Sequence, residues 1–221
     1  MATGKGKTES AGTGVSAGQL AERSQLRVVR EVVANPKSAD DDLIVTTVDP
    51  NGISVGGAFT LAVTKLRQPR RLTMTINDDD GGGGLSVSAR IVGYRNGVRI
   101  VEDITKTATD TNDATATTSA YFEDIESITL TAKTADAGDD VTFGIDGGGF
   151  GLSHPIDRLE DVLAIWKIDS GTEQAAVAIS TTNVDVDNFA IKGQTLAATD
   201  VWEVQYRRSA QRDGFGTGGR Y

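Results

Sequence analysis

Apolar and polar residues alternate with a period of two along much of this chain. Leu72, Met74 and Ile76 are separated by Thr73 and Thr75, and Leu85, Val87, Ala89 and Ile91 by Ser86, Ser88 and Arg90. Ile128, Leu130 and Ala132 repeat the pattern, as do Val141, Phe143 and Ile145, and then Trp202, Val204 and Tyr206. In an extended chain this period puts every second side chain on the same face, so each segment predicts a strand with one buried face. Further strands are expected at 42–48 (DLIVTTV), 59–63, 98–105, 175–179 and 189–191. Turn residues punctuate them. Asp49-Pro50-Asn51-Gly52 ends the first strand, and Asn96-Gly97 supplies the positive φ that a tight hairpin needs. Residues 78–84 and 147–151 read as polar or glycine loops, and 107–119 as a long loop or a poorly buried edge strand. Tyr121, Phe122 and Ile125 read as a short turn that plugs one end of the core. Many short strands, frequent turn signals and no long helical period predict an all-β fold, a jelly-roll-like β-sandwich.

The pattern divides the chain in three. Residues 1–40 form an N-terminal arm. Within it, Ser16 and Gln19 make a capping box that could open a helix through Leu20, Leu26 and Val29. The β-branched run VVREVVA favours an extended arm instead, and Asn35-Pro36 ends either form. Residues 41–206 form the sandwich body, read as one sandwich because most strands are too short for two complete cores. Residues 207–221 form a Gly/Arg-rich C-terminal tail.

Composition narrows the function classes. Aromatic residues are only 5% of 221, so the core must be built from Val, Ile, Leu and Ala. There is no cysteine, which removes disulfides and Cys-based chemistry. No run of about 18 apolar residues is present, so no membrane span is expected. The first residues lack the apolar segment of a secretory signal. Net charge is −9 and uneven: residues 1–40 hold six basic and four acidic side chains, and 207–221 hold four arginines and one aspartate, which leaves −14 for 41–206. An acidic body argues against general nucleic-acid binding, which needs clustered Lys and Arg. Basic ends on such a body suit docking onto an acidic protein surface. The candidate partner-binding residues are Arg23, Arg27, Arg30, Arg67, Arg70, Arg71, Arg207, Arg208 and Arg212.

Catalytic and metal motifs are weak. His154 is the one histidine, followed by Pro155, and it reads as a turn; there is no H-E-x-x-H and no G-x-S-x-G elbow. Asp78–Asp80 offers hard oxygen ligands, but the twelfth position counted from Asp78 is Ala89, so the helix-loop-helix calcium pattern fails. Asp78–Asp80 and the pair Asp185 and Asp187 therefore read as solvated turns. The glycine clusters at 81–84 and 147–151 lack the Lys-Ser/Thr of a phosphate loop. No catalytic residue, cofactor or metal ligand is assigned, and an enzyme is the least favoured class. A carbohydrate-binding sandwich would need exposed aromatics on one face, and Trp166, Trp202, Tyr94 and Tyr206 are scattered in sequence.

One longer pattern stands out. RRLTMTIN, SARIVGYRNGVRIVEDIT, SAYFEDIESITLTA and VTFGIDGGGFGL resemble a recurrent segment of tailed-bacteriophage virion proteins, through Arg71, Gly93, Asn96, Gly97, Glu102, Ile104, Phe122, Ile125, Ile128 and Gly144. GFGLSHPID and VWEVQYRRS resemble its continuation. The likeness covers about two thirds of the chain. It implies a structural protein of the virion, a head decoration (cement) or minor capsid protein on the capsid surface. Its implied partners are the major capsid protein and further copies of itself, in a homotrimer or a dimer. A tail, neck or fibre-associated component is the alternative. The resemblance brings no catalytic residues with it, and the N-terminal arm lies outside it.

Overall fold

A computed structural model of the chain describes residues 28–79, 84–108, 114–169, 172–173 and 176–208. Fifteen strands run through them in chain order: Val28–Ala34 (β1), Asp40–Val48 (β2), Lys65–Arg70 (β3), Leu72–Asn77 (β4), Leu85–Arg95 (β5), Val98–Ala108 (β6), Ala114–Thr117 (β7) and Phe122–Thr134 (β8). They continue with Asp140–Ile145 (β9), Gly149–Gly151 (β10), Val162–Asp169 (β11), Thr172–Glu173 (β12), Val184–Asp185 (β13), Ala190–Lys192 (β14) and Asp200–Arg207 (β15). The described residues contain no α-helix, only two three-residue 3₁₀ turns. All ladders are antiparallel. The protein is an all-β sandwich, as the alternation predicts.

Buried side chains sort into two clusters rather than one. The first lies between sheet β2-β9-β4-β7 and sheet β3-β8-β5-β6, and contains Leu72, Met74, Ile76, Leu85, Val87, Ile91, Ile128, Leu130, Val141 and Phe143, all fully buried. The second lies between sheet β1-β15-β11-β12 and the small sheet β10-β14-β13, around Phe150, Ile165, Ile191, Trp202, Val204 and Tyr206. The expectation of a single sandwich over 41–206 is corrected here. Long strands such as β5 and β8 complete the first core without help from 159–206. The second core closes with a strand drawn from the N-terminal region: Val33 of β1 is 1% exposed and packs with Trp202. Residues 28–34, assigned to the arm by sequence, are therefore a strand of the body.

Local differences have local causes. Ile128 and Leu130 point inward but Ala132 is exposed, because a bulge shifts the β5–β8 register between Ser88/Ala132 and Ala89/Leu130. One extra residue turns the following side chains to the opposite face. Residues 59–63 make no ladder. Phe59 N–H donates to Ile128 O, while Ala62 N–H donates to Ile44 O, so this segment crosses from one sheet to the other. Its Phe59 still seats in the core, 5.0 Å from the Phe143 ring. Residues 176–179 are likewise outside any strand, although Val177 N–H reaches Ile165 O. The glycine loop at 147–151 is in part strand β10. A Cβ at Gly151 would sit 2.7 Å from both Pro69 and Arg95, so glycine is what lets β10 lie against the first sandwich. The Asn96-Gly97 hairpin has both residues at positive φ, 51° and 75°, as its sequence requires. Residues 114–117 are the edge strand β7.

Candidate partner-binding surface

The first and last described strands pair along their whole length, with Val28 opposite Arg207 and Ala34 opposite Val201. β1 is the end strand of its sheet, so its far edge pairs with no described strand. An edge of unpaired backbone groups is a ready template for another chain. Its outward face is apolar as well: Val28 is 59% and Val32 is 52% exposed. Arg30 stands between them. Its Nε and Nη2 each donate to Glu203 across the ladder at 2.6 Å, a forked pair that holds the Glu203 carboxyl below its usual range. Trp166, opposite Glu203 in the next ladder and only partly buried, extends this face onto β11. The surface thus combines a strand edge that no described strand covers, an apolar strip and a basic rim.

Glu31 anchors the inner side of β1. Its Oε2 accepts from Ser153 N–H at 3.0 Å, from Ser153 Oγ at 2.8 Å and from the Tyr206 hydroxyl at 2.8 Å. Burial, then the Glu31 charge, pushes the Tyr206 hydroxyl well above its usual range. Ser153 Oγ also lies 3.1 Å from His154 Nδ1. Ser153 Oγ gives its proton to the Glu31 carboxylate. This group ties β1 to the 152–157 turn.

The basic candidates separate on inspection. Arg30 and Arg207 are exposed on the β1/β15 surface, and Arg208 follows directly. Arg67 is exposed on β3, beside exposed Lys65. Arg70 is corrected, because it serves the interior, whereas Arg71 remains partly exposed. Arg70 is 3% exposed and donates to Lys37 O at 2.7 Å and to Asp146 O, while Arg71 pairs with the Asp146 carboxylate. Alternation along β3 puts Arg70 on the same side as Leu66 and Gln68, and β3 ends where the two sandwiches meet. Arg23, Arg27 and Arg212 lie outside the described residues. Asp185 is a turn cap, accepting from Asn188 N–H and Nδ2.

Sequence reasoning missed Arg95. Its hairpin position suggests a solvated side chain, yet it is 6% exposed. It donates to Leu152 O at 3.2 Å, to Phe189 O at 2.6 Å and to Asn188 O, all in the second sandwich. Its guanidinium lies 5.5 Å from the Tyr121 ring and 5.4 Å from Phe189. Burial lowers its pKa to about 10. Arg70, Arg71, Arg95 and Tyr121 form a cationic and aromatic joint between the two cores.

Other surfaces offer less. A shallow polar groove of about 180 Å³ is lined by Asp41, Thr47, Thr75, Asn77, Asp140 and Thr142. Trp202 and Tyr206 are interior, and Tyr94 bonds Glu126, so the aromatics do not make the shared exposed face that a sugar platform needs. No helix among the described residues is long and apolar enough to cross a membrane. No protein-family model, curated protein or solved structure matches the chain.

Proposed function

We propose that this chain is a non-enzymatic structural protein of a tailed-phage virion, a decoration or cement protein that binds the outside of the capsid and stabilises it. The observation that carries this reading is the pairing of β1 with β15. Because Val28 sits opposite Arg207, residues 1–27 and 208–221, with their Arg23, Arg27, Arg208 and Arg212, continue the chain from the same end of two adjacent strands of one sheet. Two basic extensions beside an exposed strand edge suit contacts spread over neighbouring major capsid subunits. Contacts on linked segments add avidity without one very tight interface. Strand addition to β1 would supply main-chain hydrogen bonds, with Val28 and Val32 giving the apolar contact. Further copies of the chain, in a trimer or a dimer, would repeat the same surface around a symmetry axis.

The test is co-sedimentation with capsids lacking the protein. A truncation through residue 35 would remove β1 and buried Val33 along with the arm, so the informative variant begins at Val28. That truncation and the double substitution Val28→Asp with Val32→Asp are each expected to weaken capsid binding at least about tenfold while leaving the β-rich spectrum unchanged. If both bind capsids as well as the full chain does, the reading fails.

A further inference from the structure

The second sandwich is built from one continuous stretch of chain and one separate strand. Strands β10 to β15 lie within residues 149–207, and β1 is the one described strand that comes from elsewhere. The strand after it, β2, belongs to the first sandwich. The second core is incomplete without β1: Val33 is 1% exposed within it, and Val29 packs against it. The place beside β15 also recognises side chains of β1. Glu203 takes the Arg30 fork, while Ser153 and Tyr206 donate to the Glu31 carboxylate. These contacts read the sequence of β1 as well as its backbone, so the place is specific for that strand.

The ladder continues one residue past β1, where Asn35 N–H donates to Asp200 O at 2.8 Å. From Lys37 onward the chain is held by the first sandwich. Arg70 donates to Lys37 O at 2.7 Å, Lys37 Nζ lies 2.5 Å from Asp40, and a Cβ at Gly147 would come within 3.0 Å of Ala39 Cβ. The hinge between the two sandwiches is therefore Asn35 and Pro36. Asn35 has φ 52°, in the left-handed region. Asparagine tolerates this better than most residues with a Cβ, yet a following proline ring pushes the residue before it toward the extended region. Extending Asn35 satisfies that preference, and an extended 34–40 segment carries β1 away from its own β15.

We propose that β1 is an exchanged strand: in an assembly of this chain, β1 of one copy pairs with β15 of a second copy and completes that copy's second sandwich. The contacts of β1 with residues 149–207 are the same whichever chain supplies the strand. Exchange therefore costs the association of the copies and gains a relaxed hinge, and short strained hinges favour such swaps. Copies that exchange in pairs close a dimer, and copies that pass the strand on around an axis close a ring. The exchange rests on the self-association proposed above. Tested on the isolated chain, with no capsid present, it can fail while capsid binding stands, and the reverse.

The chain has no cysteine, so introduced thiols report cleanly. Val28 and Arg207 face each other in the β1–β15 ladder, and both are exposed. Full-length chains carrying Val28→Cys or Arg207→Cys are purified separately, mixed, warmed to let β1 exchange, concentrated and oxidised. We expect a 28–207 disulfide between the two chains, mapped by mass spectrometry, because the bond needs the close approach that paired strands give. Val28→Cys mixed with Val201→Cys, at the opposite end of the ladder, should give none. Sedimentation of the parent chain should show a dimer or trimer. Asn35→Gly accepts the left-handed φ without strain, so it keeps the fold and should shift the balance toward monomer by about fivefold or more. The proposal is overturned by a parent that stays monomeric at every concentration, by the absence of a 28–207 bond between the mixed chains, or by an oligomer that Asn35→Gly leaves unchanged.

Discussion

At the scale of single residues, the informative side chains are those whose position contradicts their chemistry. Tyr121 is 2% exposed, beneath Arg71 and Arg95, and burial pushes its hydroxyl up to about 12. An unfolded tyrosine ionises near about 10. A pKa raised by folding means that the folded state holds its proton more tightly. The stability linked to that proton is thus complete below pH about 10 and is lost as pH rises toward about 12. Tyr206, shifted in the same direction, adds to the effect. Tyrosinate absorbance should therefore show Tyr121 and Tyr206 ionising together with loss of the β-sheet circular dichroism signal. Smooth titration of every tyrosine while that signal persists would contradict their burial. The local sequence places Tyr121 with Phe122 and Ile125 at one end of the core, but not under the Arg71 and Arg95 guanidinium groups.

At the scale of elements, strand content was legible because a period of two reports directly which face is buried. β4, β5, β9 and β15 have the faces their sequences predict. Prediction failed where a strand's partners, rather than its own residues, decide the outcome. The bulge in β8 and the crossing segment at 59–63 are of this kind. Gly144 shows how closely partners approach: a Cβ there would lie 1.8 Å from Asp40 O and 2.5 Å from Asp41 Cα. Gly144→Ala must push β2 off β9. Strain from an added methyl group in a tightly packed site costs about 1–3 kcal/mol, and the urea midpoint should fall accordingly. An unchanged midpoint would mean that β2 does not sit so close.

At the scale of the molecule, two small cores are held together by a joint rather than by one continuous interior. Arg95 is its central member, since three carbonyls of the second sandwich depend on it. Stranding a buried acceptor costs about 1–3 kcal/mol. Arg95→Met should therefore lower stability and separate the unfolding of the two halves, so that one calorimetric transition becomes two. Lysine should not rescue it, because a point charge cannot span three acceptors as a planar guanidinium does. A single transition of unchanged midpoint in Arg95→Met would show that the cores are coupled by other contacts. Such coupling matters for the proposed role, since the β1 surface belongs to the second core while the longest strands, β5, β6 and β8, lie in the first sandwich.

The sequence by itself determined the all-β class, most strand faces, the Asn96-Gly97 hairpin and the basic character of both ends, because these depend on neighbours within a few residues. It could not determine that Val28–Ala34 closes a second core, or that Arg70 and Arg95 turn inward. Those outcomes depend on contacts between residues from about 30 to more than 170 positions apart and on where the sandwiches touch. Only the tertiary structure supplies that information, since a basic or acidic side chain in a turn looks the same in sequence whether it faces solvent or a buried partner.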